Sequence, residues 1–498
     1  MTSLANSAAL REELATPRWA AARPLALLMA GGGAVGLSRW LVRPPLPDDY
    51  DSINFLFGIS RQYDLALFQP QFPGYPVFIA AGTALHHLGL SALAAAELVS
   101  AVASGLTAVA LGLLAWRLGG KGAAVAAMLL QPFAWLPWLL GSGALSDATG
   151  VALVAAAFAL FAGLPGEGDR EARSWPLAAG VALGLGLGVR ASYWPFAVAL
   201  AVAVFRGDAP RWKPALGFAA GLAAWGVPFV SVVGARRLAE LGRTHLVGHF
   251  EQWGGSVVTR PDPLLRLGAC ARALFYDGLA PWWPAALGLA LVVGVAVALT
   301  PAGKRWRPAW TRAALMLVPY AAWAFLAQNV VEQPRHLLPL VEGELLILAC
   351  LLGAQRWAAV VASLLMAVAS VPLARERREV PPAAAQAVAW IRAHPVAEGK
   401  LSWVVGTRSS RFFQELAPEI ELHESQWLSL LTARLARVDR MPDRILLTSE
   451  VDLHSGLGER SPLPIHWRVE PVGPSFCRDA RIDRGQPCLQ LSQLSWVP

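Results

Sequence analysis

Charge is scarce in this sequence: 15% of its 498 residues are Asp, Glu, Lys or Arg, against 55% hydrophobic residues. So little charge excludes an ordinary soluble protein, which could not keep that much apolar surface from water, and makes a polytopic membrane protein the expectation. The net charge of +8 excludes less than it suggests. Arg and Lys fall in small clusters between apolar runs rather than in one stripe, which is a topology signal and argues against a nucleic-acid partner. Cysteine is scarcer still, with four residues. Cys270 and Cys350 lie in or beside apolar runs and read as small hydrophobes. Cys477 and Cys488 lie close together in a polar tail, where an oxidising compartment would join them in a disulfide. There is no internal repeat, no HExxH motif, and no low-complexity segment beyond Ala, Leu and Gly enrichment. Gly184, Gly186 and Gly188 stand inside an apolar run with no strand before them, so they read as helix packing and not as a dinucleotide loop.

Apolar runs of membrane length are what the chain has in abundance. They cover roughly residues 24–42, 92–116, 122–140, 146–164, 176–190, 193–206, 214–233, 281–300, 313–330, 337–354 and 357–373, or about eleven transmembrane helices. The pair flanking Arg190-Ala191-Ser192-Tyr193-Trp194-Pro195 reads either as two spans or as a broken hairpin, and both leave the later parity unchanged. A further apolar segment, Tyr75 to Leu90, holds His86 and His87 and reads as a juxtamembrane or partly inserted helix. Before the first run come Arg11, Arg18 and Arg23 with no small-residue cleavage site after them, as in an uncleaved signal-anchor. With residues 1–23 in the cytoplasm, the clusters Arg117 and Lys121, Arg170 and Arg173, Arg206, Arg211 and Lys213, Lys304, Arg305, Arg307 and Arg312, and finally Arg356 all fall on the cytoplasmic side. A full span at Tyr75 to Leu90 would move every later cluster outside. The 21 tryptophans, many at run ends, suit the membrane interface.

After Pro372 the composition becomes that of a soluble protein. The expected plan is a cytoplasmic segment (1–23), a transmembrane domain with extracytoplasmic loops (24–373), a charged linker (374–382) and a small extracytoplasmic α/β domain (383–498). Within that domain, helices are expected over 383–393 and 427–438, and strands over 401–406 and 444–448.

By the same parity the polar residues hardest to explain as connectors share the extracytoplasmic face. They are Asp48-Asp49-Tyr50-Asp51-Ser52, Ser146-Asp147 at the head of a run, Arg190 between two runs, the segment from Gly234 to Ala280, and Glu332-Gln333-Pro334-Arg335-His336. Asp51 suits a general base that deprotonates an acceptor, with Asp49 the alternative. The plain alternative is a solvated loop or a helix cap, and Ser146 with Asp147 can likewise be a cap and first turn. Cations on this face run against the topological bias, so Arg190, Arg335 and His336 fit a bound anion such as a lipid phosphate, or else snorkel to headgroups. His245 and His249, four apart with Glu251 nearby, have metal-like spacing, yet no second cluster accompanies them and Gly248 weakens the helix. They and Gln333 read instead as lining a cavity or resting on the lipid surface.

In this order the signals resemble the GT-C superfamily of integral-membrane glycosyltransferases, near protein O-mannosyltransferases and lipid A aminoarabinose transferases. The motifs are Asp51-Ser52 after a first span, Pro73-Gly74-Tyr75-Pro76, Ser146-Asp147, the span-ending Arg190, and Arg335-His336-Leu337-Leu338-Pro339-Leu340, where His336 replaces the usual Tyr. The resemblance covers about residues 24–355. It implies inverting transfer of a sugar from a polyprenyl-phosphate donor to a lipid, glycan or protein acceptor at the outer leaflet of the cytoplasmic membrane. Asp51 would be the base, Asp147 would orient acceptor or sugar, Arg190, Arg335 and His336 would bind donor phosphate, and Tyr75, His245, His249 and Gln333 would line the acceptor side. No cofactor is required by this reading, and a divalent metal is optional without being indicated. A multi-span lipid or glycan transporter, or a noncatalytic GT-C-like protein, would share the span pattern.

Overall fold

The computed structural model describes residues 18–162, 175–206, 211–300, 308–398, 400–425, 427–452, 467–483 and 487–496. Arg11, Arg170, Arg173, Lys304, Arg305 and Arg307 lie outside the described residues. Besides short 3-10 and π turns, the helices are α1 (Arg18–Leu41), α2 (Tyr50–Ser60), α3 (Pro76–His87), α4 (Ala92–Gly119), α5 (Lys121–Leu130), α6 (Trp135–Gly141), α7 (Asp147–Ala162), α8 (Trp175–Val189), α9 (Pro195–Arg206) and α10 (Trp212–Val233). They continue with α11 (Ala235–Gly248), α12 (Pro263–Arg272), α13 (Trp283–Leu299), α14 (Pro308–Ala327), α15 (Leu338–Leu352), α16 (Arg356–Glu379), α17 (Ala383–Ala393), α18 (Ser410–Leu416) and α19 (Leu428–Leu435). The strands are β1 (Ser402–Gly406), β2 (Glu421–Glu424), β3 (Arg444–Thr448), β4 (Trp467–Cys477) and β5 (Cys488–Trp496). The chain forms two compact units, one of residues up to Arg43 with Phe72–Pro372, the other of Pro44–Gln71 with Leu373–Pro498.

Every apolar run of the first unit contains a helix, and the unit is that of an integral membrane protein. Length and composition qualify α4, α10 and the helical stretch that begins at Arg356 as membrane-crossing, and a fourth if the bent pair Lys121–Phe133 and Trp135–Gly141, at 63°, counts as one span. Six shorter apolar helices accompany them among the described residues. The expected count of eleven is therefore not reached by helix length: at about 1.5 Å per residue, a helix of α8's size stops short of a hydrocarbon core of roughly 30 Å.

Helix direction follows from the close approaches. Gly32 faces Gly105, Gly36 faces Ala101, and Arg43 Nε pairs with Glu97 at 3.3 Å, so α1 and α4 are antiparallel and the stretch 44–91 leaves and returns at the same end of the pair. The 12-residue α3 accordingly reverses no direction. Helices α8 and α10 run parallel, with Gly180 against Pro214 and Gly184 against Phe218, and a Cβ at Gly180 would lie 2.1 Å from the Pro214 carbonyl oxygen. The glycines of α8 thus serve packing.

The second unit is a five-stranded mixed sheet of order β2-β1-β3-β5-β4, with β2, β1 and β3 parallel and β5 antiparallel to both β3 and β4. Alternation along β1 and β3 sends Val404 and Leu446 to one face and Trp403, Val405, Ile445 and Leu447 to the other. The second face packs on Leu428, Leu431 and Leu435 of α19. The first carries α17 and α18, and with them Ile53 and Phe57 of α2. The division between the units falls at Pro372 and Leu373, and two features lie outside the expected plan. The stretch 44–71 belongs with the tail, because α2 supplies part of the tail's core, and Arg375 to Glu379 are the last turns of α16 and not a separate linker. Cys477 and Cys488 face each other across β4 and β5 and are joined by a disulfide.

A fragment of residues 373–498 alone lacks two core side chains whose removal costs on the order of 5 kcal/mol. It is expected to be cut rapidly by trypsin, whereas the same fragment fused to residues 44–71 resists. Equal resistance of the two would refute this account of the core.

Candidate functional site

The three neighbouring aspartates have different surroundings. Asp48 is paired with Arg377, whose Nε donates to Oδ2 at 2.6 Å, and Arg478 Nη2 lies 3.7 Å from the same oxygen. Burial pushes the Asp48 carboxyl up, but the two guanidiniums more than reverse this and hold it below the usual carboxylate range. Asp49 caps α2, its Oδ1 accepting the Asp51 amide at 2.8 Å. Asp51 stands in the first turn of that helix, half-buried, followed by Ser52 to Ile59, all buried.

The first unit holds the second set. Asp147, in the first turn of α7, is fully buried, and Arg190 Nη1 lies 2.7 Å from its Oδ2. Arg190 Nη2 also lies 3.2 Å from His336 Nδ1. Burial, then the charges of Arg190, Arg335 and His249, hold His336 well below the usual imidazole range. It is therefore neutral near pH 7, accepting from Arg190 on Nδ1 and carrying its proton on Nε2. Arg335 and Tyr75 are close enough to act on the charge of Arg190. Tyr75 takes a left-handed backbone, φ 47°, at the head of α3. Three buried hydroxyls of this neighbourhood, Ser146 Oγ, Thr149 Oγ1 and Tyr193 Oη, have no hydrogen-bond partner among the described residues. The ring of Tyr193 packs over Gly150, where a Cβ would come within 2.7 Å of it.

The cap expected at Ser146 is thus only half realised: its carbonyl accepts from Gly150 at 3.0 Å, while its hydroxyl makes no such bond and Asp147 turns to Arg190. Gln333 contributes through its peptide, which accepts from the His336 amide at 3.1 Å. His245 and His249 stack with centroids 6.2 Å apart, Phe72 lies 5.0 Å from His245, and His249 Nε2 donates to the Ala327 carbonyl at 2.7 Å. Burial, reinforced by His249, lowers His245 to about 4, so it is uncharged at neutral pH. Among the described residues no group of three His, Cys, Asp or Glu could hold a metal ion. Two site residues were missed: Tyr320, whose hydroxyl donates to the His336 carbonyl at 2.7 Å, and Tyr193, 5.5 Å edge-on from it. Tyr320 sits inside an apolar run with no polar neighbour to flag it; Tyr193 lies in the Arg190 turn and could have been found there.

No family model matches the sequence, and no curated protein matches it. In structure, the chain is similar to ArnT from Cupriavidus metallidurans bound to undecaprenyl phosphate, with TM-score 0.54 and 13% identity, over 94% of this chain and 97% of that one. It is similar to the apo state of the same ArnT at TM-score 0.52 and 14% identity, over 86% and 93%. The oligosaccharyltransferase of Archaeoglobus fulgidus, in complex with Zn and sulfate, gives TM-score 0.45 and 14% identity over 79% and 62%. The likeness to ArnT is one of fold: this chain has the GT-C fold.

Breaking a buried ion pair from one side leaves a charge uncompensated and costs about 3–5 kcal/mol. Asp147→Asn is therefore expected to lower the thermal midpoint of the purified protein clearly, and Asp147→Leu combined with Arg190→Met to restore most of the loss. A double variant less stable than the single one would show that the pair is not what holds these helices.

Proposed function

We propose that this chain is a membrane glycosyltransferase that moves a sugar from a polyprenyl-phosphate donor to an acceptor on the extracytoplasmic side, with inversion. The observation that carries the reading is the buried Asp147–Arg190–His336 set with three hydroxyls short of partners. Arg190 and Arg335 repel each other, and an oxyanion between them relieves that repulsion while taking charge-assisted hydrogen bonds. The neutral Nε2–H of His336 is a further donor. The fold shared with a protein crystallised with undecaprenyl phosphate supports a lipid phosphate as that anion. As the glycosidic bond to phosphate breaks, negative charge grows on the leaving oxygens, where fixed cations are most effective.

In this reading Asp51 takes the acceptor's proton, while Asp48 pairs with two arginines and Asp49 caps α2. Asp147 orients the sugar or acceptor and holds Arg190, and Tyr75, His245, His249 and Gln333 serve the acceptor side. The antiparallel α1 and α4 support the parity that puts the polar loops on the outer side of the cytoplasmic membrane. The disulfide supports an oxidising location for the tail. A sugar carried on lipid phosphate needs no nucleotide at this face.

The test is mass spectrometry of polyprenyl-phosphate sugars in membranes expressing wild type or Asp51→Asn. One donor is expected to be consumed by the wild type, with turnover falling about 10²- to 10⁴-fold in the variant. Identical pools with both proteins abundant and folded would overturn the reading.

A further inference from the structure

We propose that Arg377, Arg478 and Asp483 are positioning residues for the acidic loop, holding it through Asp48, and that the Cys477–Cys488 disulfide clamps Arg478 for this purpose. The inference rests on Asp51 being the base. Arg478 forks onto Asp483, its Nε donating to Oδ2 at 2.6 Å and its Nη2 to Oδ1, while reaching towards Asp48. Arg377 donates to Asp48 from the end of α16. The side chains of Arg377, Arg478 and Asp48 are 2%, 0% and 6% exposed. Two guanidiniums face Asp48 and Asp483, with Glu376 also acting on Arg478, so losing Arg377, Arg478 or Asp48 upsets a buried balance of charge.

The backbone of Arg478 is fixed from several sides. Its amide donates to the Pro487 carbonyl at 2.8 Å, the preceding residue is bonded to Cys488, and Gln386 Nε2 donates to the Cys477 carbonyl at 3.1 Å. Points about a hundred residues apart in sequence thereby meet on the one carboxylate that directly precedes the cap of α2. A buried charge set is a poor way to gain stability compared with apolar packing, but a good way to specify one geometry. A general base needs its carboxylate held within a fraction of an ångström. Asp48 fixes the entry of the loop, Asp49 fixes the Asp51 amide, and the Asp51 carboxylate follows from both.

The experiment uses the full chain in nanodiscs and two independent readouts. In steady-state transfer from the polyprenyl-phosphate sugar that the mass spectrometry singles out, Asp48→Asn, Arg377→Gln and Arg478→Met are expected to lower kcat about 10- to 100-fold with donor KM within about twofold of wild type. Arg377→Lys, which keeps a cationic donor for Asp48, should recover most of the Arg377→Gln loss. In hydrogen exchange, the amides of residues 51–55 should exchange at least about tenfold faster in these variants and after reduction of the disulfide. If Arg478→Met fails to fold, the Arg377→Gln and Arg377→Lys pair carries the comparison. Unchanged exchange in folded variants, no rescue by Lys, or a raised KM at constant kcat would each overturn the proposal. Wild-type transfer by Asp51→Asn would instead overturn the base assignment, and the exchange measurement would still test the clamp.

Discussion

An ionised group taken out of water has to be met by an opposite charge or a dense set of hydrogen bonds, and in a chain this poor in charge that constraint fixes where the few ionic residues stand. Arg43 with Glu97 ties the end of α1 to the start of α4. Arg190 with Asp147 joins the turn after α8 to the head of α7. Arg39, fully buried, lies 4.8 Å over the Trp138 ring and donates to the Gln131 carbonyl at 3.3 Å, beside the break between α5 and α6. Each contact sits at a helix end or a helix break, where backbone groups are already short of partners and polar side chains cost least. Apolar packing supplies most of the burial, and these pairs set which ends meet.

The same constraint separates three aspartates that are chemically alike. Asp48 is met by the buried guanidiniums of Arg377 and Arg478, Asp49 caps α2, and Asp51 is carried on the helix that follows. Because α2 contributes Ile53 and Phe57 to the core of the tail unit, the loop is held from behind by packing and from its entry by charge. A carboxylate on such a support has little freedom to drift, which is what the proposed role of Asp51 as base would require.

Much of this was legible in the sequence. Each of the eleven apolar runs holds a helix, because backbone polar groups inside hydrocarbon must be satisfied within the segment, whereas α3, α11 and α12 of the same unit lie outside those runs. The helix Ala383–Ala393 and the strand Arg444–Thr448 have the expected bounds, because Ala-rich periodicity and a β-branched or aliphatic run flanked by turn residues are local signals. The remainder is non-local. Nothing around Arg377 or Arg478 announces that both reach Asp48, hundreds of residues away in sequence from each. The charged run 375–379 looks like a solvated linker until one of its arginines is found 2% exposed. Strand β4 holds Pro471, Gly473 and Pro474, which argue locally against a strand; Pro471 nevertheless pairs with Ser492, and a bulge between Val472 and Phe476 takes up Gly473 and Pro474. Tyr320 is hidden for the opposite reason, as a polar tip in an apolar run whose partner is a backbone carbonyl.

Joining the acidic loop to the tail changes what the tail is for. A separate domain on the extracytoplasmic side would invite the view that it selects the acceptor and can be removed without touching the chemistry. The tail described here cannot be removed in that sense, because Phe57 and Ile53 lose their seat and Asp48 loses both arginines with it. Loss of activity on truncation therefore says nothing about acceptor choice. Acceptor selection has to be sought where a change leaves α2 and the charge set intact. On the other face of the same sheet, Leu428, Leu431 and Leu435 of α19 pack without touching the loop's core. Under the proposed function, the solvent-facing side of α19 therefore separates the two roles: alterations there leave α2 and Asp51 where they are, and a shift in acceptor preference they produced would belong to recognition alone.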